Sequence, residues 1–115
     1  MMNSVKEAAT WYKAAPVKEF PRNGGLCVKI DDLQVAVFNF TSRNEWFACQ
    51  NLCPHKLQMI LSRGMIGDKN GIPKVACPFH KKTFSLETGE NLDGEEYSLQ
   101  TFPVKVEAGY VYVGI

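Results

Sequence analysis

Both histidines of this 115-residue chain lie just behind a Cys-Pro pair, in the segments Cys53-Pro54-His55 and Cys77-Pro78-Phe79-His80. Each segment offers one thiolate and one imidazole. Structural zinc accepts four such ligands, but its usual spacing pairs Cys with Cys and His with His, whereas the pairs here are mixed. A Cys–His nucleophile and base would leave the second pair without a role, and nothing marks an oxyanion hole. A [2Fe–2S] cluster with two thiolates on one iron and two imidazoles on the other needs one ligand of each kind from each of two loops. The four residues Cys53, His55, Cys77 and His80 fit that need.

Such mixed ligation defines a Rieske-type centre, and it has an electrostatic consequence. Two ferric ions, two sulfides and two thiolates sum to zero charge, while four thiolates would leave the oxidised cluster doubly negative. An electron enters a neutral centre more easily, which raises the potential above that of four-Cys ferredoxins. High-potential Rieske proteins of respiratory complexes add a disulfide between the ligand loops and two hydroxyls that donate to the cluster sulfurs. The matching positions here are Gln58 and Phe79, and Lys82 and Phe84. None supplies those groups, so a lower-potential, ferredoxin-like centre is expected.

Loops that hold such a cluster need a rigid frame. Pro and Gly cut the chain into short pieces in which β-branched and aromatic residues cluster in runs of strand length, which reads as all-β. Residues 26–30 and 34–40 flank Asp31-Asp32 as a hairpin, and residues 45–49 continue it after Ser42-Arg43-Asn44. Residues 99–106 and 110–113 form a second hairpin, with Pro103 marking an edge or a bulge. Residues 73–76 and 83–86 enter and leave the second Cys/His segment. The stretch from Val5 to Tyr12 holds the only candidate helical turn, and Trp11, Tyr12 and Phe20 are expected to cover the sheet. The length suits one domain, with residues 1–10 as an extension and 11–115 as the folded unit.

Composition is that of a folded globular protein, at 45% hydrophobic and 22% charged residues. No apolar run approaches the ~20 residues that span a bilayer, and the N-terminus lacks a signal-peptide pattern. A cytoplasmic protein without membrane contact is expected. A net charge of +1 argues against nucleic acid as a partner. Charge is nonetheless segregated: between Lys56 and Lys82 six bases face one acid, Asp68, whereas six acids face one base between Glu87 and Glu107. Cys27 and Cys49 lie within apolar strand segments and are expected to be buried free thiols.

The stretch from Leu61 to Gly67 and that from Ile72 to Glu90, with Gln34–Phe38 upstream and Val104–Val113 downstream, resembles the small subunit of assimilatory NAD(P)H-dependent nitrite reductase. The likeness runs from Trp11 onward. Its most telling parts are Ser62-Arg63-Gly64 and the His80-Lys81 that closes the second motif. It implies a Rieske-type fold of three antiparallel sheets with both ligand loops at one tip. It also implies a large partner subunit carrying FAD, a [4Fe–4S] cluster and sirohaem, which reduces nitrite to ammonium. The small subunit would then relay electrons through His55 and His80, with Lys56, Lys81 and Lys82 steering an acidic docking surface. A free-standing ferredoxin that serves an oxygenase is the alternative.

Overall fold

The computed structural model describes residues 10–54, 58–79 and 82–115. Twelve strands follow in chain order: β1 (Trp11–Pro16), β2 (Gly24–Ile30), β3 (Leu33–Phe40), β4 (Glu45–Gln50), β5 (Leu52–Cys53), β6 (Gln58–Met59), β7 (Met65–Lys69), β8 (Ile72–Ala76), β9 (Thr83–Ser85), β10 (Thr101–Phe102), β11 (Val104–Glu107) and β12 (Tyr110–Gly114). They build three sheets, ordered β1-β12-β11, β10-β4-β3-β2 and β7-β8-β9, plus the two-stranded ribbon β5-β6. All paired strands run antiparallel. No α-helix occurs among the described residues.

The four-stranded sheet is the wall between two cores. Strand side chains alternate between faces, so on β3 Ala36, Phe38 and Phe40 join one cluster with Cys49, Cys53, Leu61, Val75, Cys77, Phe84, Leu86 and Leu99. Val35 and Val37 face the other way, onto Phe20, Val28, Ile30, Ala48, Phe102, Val111 and Val113. The first core backs both cysteines of the expected site. The second seats the terminal sheet.

The expected hairpins are present, and three details differ from the sequence reading. Trp11 and Tyr12 belong to strand β1, paired to β12 with a register shift between Lys13 and Ala15. A helical turn reaching Tyr12 is thereby corrected: cross-strand pairing outweighs a local run of helix-tolerant residues, while Val5 to Ala9 lie outside the described residues. Residues 99–106 do not make one strand, because Pro103 separates β10, which pairs with β4, from β11, which pairs with β12. A proline lacks the N–H that a continuous ladder requires. The third sheet holds a hairpin, β7 to β8, turned by Asn70 at φ +53° and Gly71 at φ +87°. Both φ values are positive, as a two-residue turn of the type that matches strand twist demands.

Candidate metal centre

Cys53 ends β5 and Cys77 follows β8 directly, so each thiol sits where a strand passes into a loop. Both side chains are buried, at 0% and 1% exposure, within the same core cluster, and neither is in a disulfide. Two thiols that precede the two His-containing loops thus belong to one apolar cluster. His55, Lys56, His80 and Lys81 lie outside the described residues. Among the described residues no three candidate ligands gather at one place.

Each loop is closed at its base by the backbone. In the first, Cys53 is paired with Gln58 across the β5-β6 ribbon. In the second, the Cys77 N–H donates to the Lys82 carbonyl at 2.8 Å. Two buried thiols at the mouths of closed loops suit a soft, sulfur-bound iron site, and they fit one half of the ligation expected for a [2Fe–2S] cluster.

The basic and acidic segments meet here. Lys82 Nζ pairs with Glu95 at 2.9 Å, and Lys69 Nζ donates to the Leu92 carbonyl. Asp93 Oδ2 accepts from the Thr83 N–H at 2.8 Å and from Thr83 Oγ1 at 3.1 Å. The Thr83 backbone hydrogen bond, chiefly, holds the Asp93 carboxyl below its ordinary range, with help from the Thr83 hydroxyl and from Lys82 and Lys69. An ion pair thus joins the basic and acidic segments within the fold, where residues 91–95 brace the strand leaving the second loop. Arg43 does the same on the other side, binding Glu45 and Asp68 by ion pairs and the Gly71 carbonyl.

Of the residues matched to high-potential tuning groups, Gln58 is exposed, Phe79 is 60% exposed, Lys82 is ion-paired and Phe84 is fully buried in the core. A groove of about 600 Å³ opens beside Cys77, lined by Met65, Ile66, Lys74, Pro78 and Thr83 among others.

Cys49 is buried as expected, and burial pushes its thiol up to about 12. Cys27 is not buried. Val28 and Ile30 face the second core, while Cys27 pairs with Ala36 on the first-core side, but β2 is the edge strand of its sheet and the first core does not extend over Cys27. Burial raises the Cys27 thiol only in part. Alkylation with iodoacetamide under native conditions is expected to label Cys27 and spare Cys49 until the chain is unfolded, as read by peptide mass spectrometry. Equal labelling of both would contradict the burial pattern.

Sequence reasoning overlooked Asn51, which is 2% exposed, joins the strand β4 to β5, and makes hydrogen bonds to five other residues, Cys27, Gln34, Ile60, Leu61 and Ser62. Its place just before the first ligand segment was the available signal. Gly64 was quoted only as part of a resemblance, without its structural reason, which is close packing against Ala76.

Two buried cysteines at the starts of two loops, framed by three antiparallel sheets, define a class, and the family description Rieske-like [2Fe–2S] domain matches residues 10–114. The chain belongs to that family. Within it, the chain is 30% identical to the nitrite reductase (NADH) small subunit of Escherichia coli K12, over 88% of this chain and 94% of that one. The solution structure of the E. coli protein NirD superposes with a TM-score of 0.81 at 29% identity, covering 90% of this chain and 94% of the other. The NAD(P)H nitrite reductase large subunit of Klebsiella oxytoca is 35% identical over 90% of this chain, which spans only 11% of that protein's length. No helix among the described residues is long and apolar enough to cross a membrane.

Proposed function

We propose that this chain is the electron-transfer small subunit of an NAD(P)H-dependent nitrite reductase, holding one Rieske-type [2Fe–2S] cluster through Cys53, His55, Cys77 and His80. The Cys53 and Cys77 thiolates take one iron and the His55 and His80 imidazoles the other. The observation that carries this reading is the pair of fully buried, unbridged thiols, each at the mouth of a loop that goes on to a histidine. Residues 11–115 make up the Rieske-type unit and 1–10 an extension. The partner is a large subunit bearing FAD, a [4Fe–4S] cluster and sirohaem, which turns nitrite into ammonium in nitrate assimilation in the cytoplasm.

The cluster supplies one-electron chemistry, and the chain's own residues supply its setting. Of the three lysines proposed to steer docking, Lys56, Lys81 and Lys82, the last shares its charge with Glu95 and contributes to docking less than its position in sequence suggests. Exposed Met59 and Met65 stand across ladder rungs beside Cys53 and Cys77, since Met59 pairs with Leu52 and Met65 with Ala76. Methionines so placed give the partner an adaptable apolar contact next to the electron gate. With Gln58, Phe79, Lys82 and Phe84 at the tuning positions, the potential falls below that of respiratory Rieske centres.

Anaerobic purification followed by iron and sulfide analysis and EPR of the reduced protein tests the reading. About two irons per chain with a Rieske-type signal are expected. A chain that stays colourless and iron-free after reconstitution, or that carries a single zinc, overturns it.

A further inference from the structure

We propose that Asn51 is the positioning residue of the first ligand loop, fixing Cys53 and its neighbours through a carboxamide that never touches the cluster. The proposal rests on the cluster reading above and concerns what sets the geometry of that site.

The bonds around Asn51 connect three parts of the molecule. Its N–H donates to the Gln34 carbonyl at 3.1 Å, which pins it to the first residues of β3. Its side-chain Nδ2 donates to Gln34 Oε1 at 3.1 Å and to Cys27 Sγ at 3.5 Å, so both amide hydrogens are held by the β2–β3 hairpin. Its carbonyl accepts from the N–H groups of Ile60 and Leu61, each at 3.0 Å. Its Oδ1 accepts from the Ser62 N–H at 2.8 Å.

Those last three donors open the short 3-10 turn Leu61–Arg63. The first N–H groups of any helical turn have no partner within the turn and must find one elsewhere. Asn51 satisfies them from across the loop, acting as a cap supplied by a residue far back in the chain. One residue thereby clamps the start of the ligand loop to its end, with Cys53-Pro54-His55 between the jaws. The turn then packs against β2 and β3 and leads through Gly64 to the base of the second loop. A side chain that only filled space would need neither both donors nor the acceptor. Asn51 is buried and uses all three, and leaving any of them unpaired there is destabilising.

The test compares Asn51→Ala, Asn51→Asp and Val111→Ala with wild type. Val111 lies fully buried in the opposite core, so its truncation destabilises the fold without touching the loop. Two quantities are read: backbone hydrogen exchange at Ile60, Leu61 and Ser62 in the cluster-free protein, and the rate at which the loaded protein yields iron to a chelator. Asn51→Ala is expected to lose protection at Ser62, weaken it at Ile60 and Leu61, and release iron about 10-fold faster or more, the usual effect of removing an outer-shell partner. Asn51→Asp keeps an acceptor for Ser62, so it should retain that protection and release iron more slowly than the alanine variant. Val111→Ala should leave both readings near wild type.

Wild-type exchange and iron release in Asn51→Ala, or equal changes in Val111→Ala, overturn the proposal. A wild-type chain that binds no iron overturns it together with the reading it rests on. Iron in the wild type with an indifferent Asn51→Ala overturns this proposal alone. Should the alanine variant fail to fold, the aspartate variant still decides, because loss of Ser62 protection there removes the claimed role of the acceptor.

Discussion

On the proposed ligation, Cys77→Ser is expected to yield a folded protein without a cluster, and a proposed nitrite reductase complex that has lost electron flow through this subunit. The expectation comes from a difference in kind between the two side chains. A thiolate is a soft ligand available near neutral pH, whereas a serine hydroxyl keeps its proton and binds iron poorly. Cys77 has no freedom to be replaced by a neighbour: it follows β8, whose register against β7 and β9 is set, and its own N–H is spent on the Lys82 carbonyl. Placing a hydroxyl in an apolar cluster beside Phe84, Leu61 and Val75 costs about 1–3 kcal/mol. That is less than the ~5–15 kcal/mol that holds a domain together, so the fold survives.

Cys49→Ser is the matched control. Cys49 is equally buried in the same cluster and undergoes the same chemical change, so its structural cost is comparable. Iron analysis and visible absorption should show the cluster lost in Cys77→Ser and retained in Cys49→Ser, with circular dichroism alike in both. Nitrite reduction measured with the large subunit should follow the iron. Iron retained in Cys77→Ser, or lost in both variants, would contradict the assignment.

The parts of this protein that could be read from sequence are those whose signal is local. The hairpin of β2 and β3 announces itself through alternating apolar residues about a two-residue turn, and the two Cys/His segments stand out through residue type alone. β1 could not be read so, because its strand character exists only through pairing with β12, about a hundred residues away along the chain. The β7–β8 hairpin had a local signal in Asn70-Gly71 that the Cys/His segments on either side overshadowed. Cys27 was misplaced for a related reason: composition says apolar strand, and only the strand order, which leaves β2 at the edge of its sheet, says that the core does not cover it. Asn51 and Gly64 were illegible in a different sense. Their roles consist of contacts to residues distant in sequence, and neither residue type carries a functional signature.

Gly64 shows what such a role is worth. Its backbone is ordinary, with φ −72° and ψ 161°, so any residue could adopt it. What forbids a side chain is space: a methyl carbon there would fall inside contact distance of the Ala76 carbonyl oxygen and 2.9 Å from Val75 Cγ2. Both obstacles belong to β8, the strand that delivers Cys77, and the chain entering Gly64 comes from the turn that ends the first ligand loop. Glycine at this position is therefore what lets the two loops approach each other. Gly64→Ala must push them apart or displace β8, and overpacking of this kind costs about 1–3 kcal/mol. The same shift separates Cys53 from Cys77, so cluster retention should fall by more than stability does. Gly67→Ala provides the contrast, since a methyl there meets only the flexible end of Lys74 at 3.5 Å. Urea denaturation should show a lowered midpoint for Gly64→Ala and a near-wild-type midpoint for Gly67→Ala, with iron content falling only in the first. Equal behaviour of the two glycines would mean that the loops are brought together by something other than this close approach.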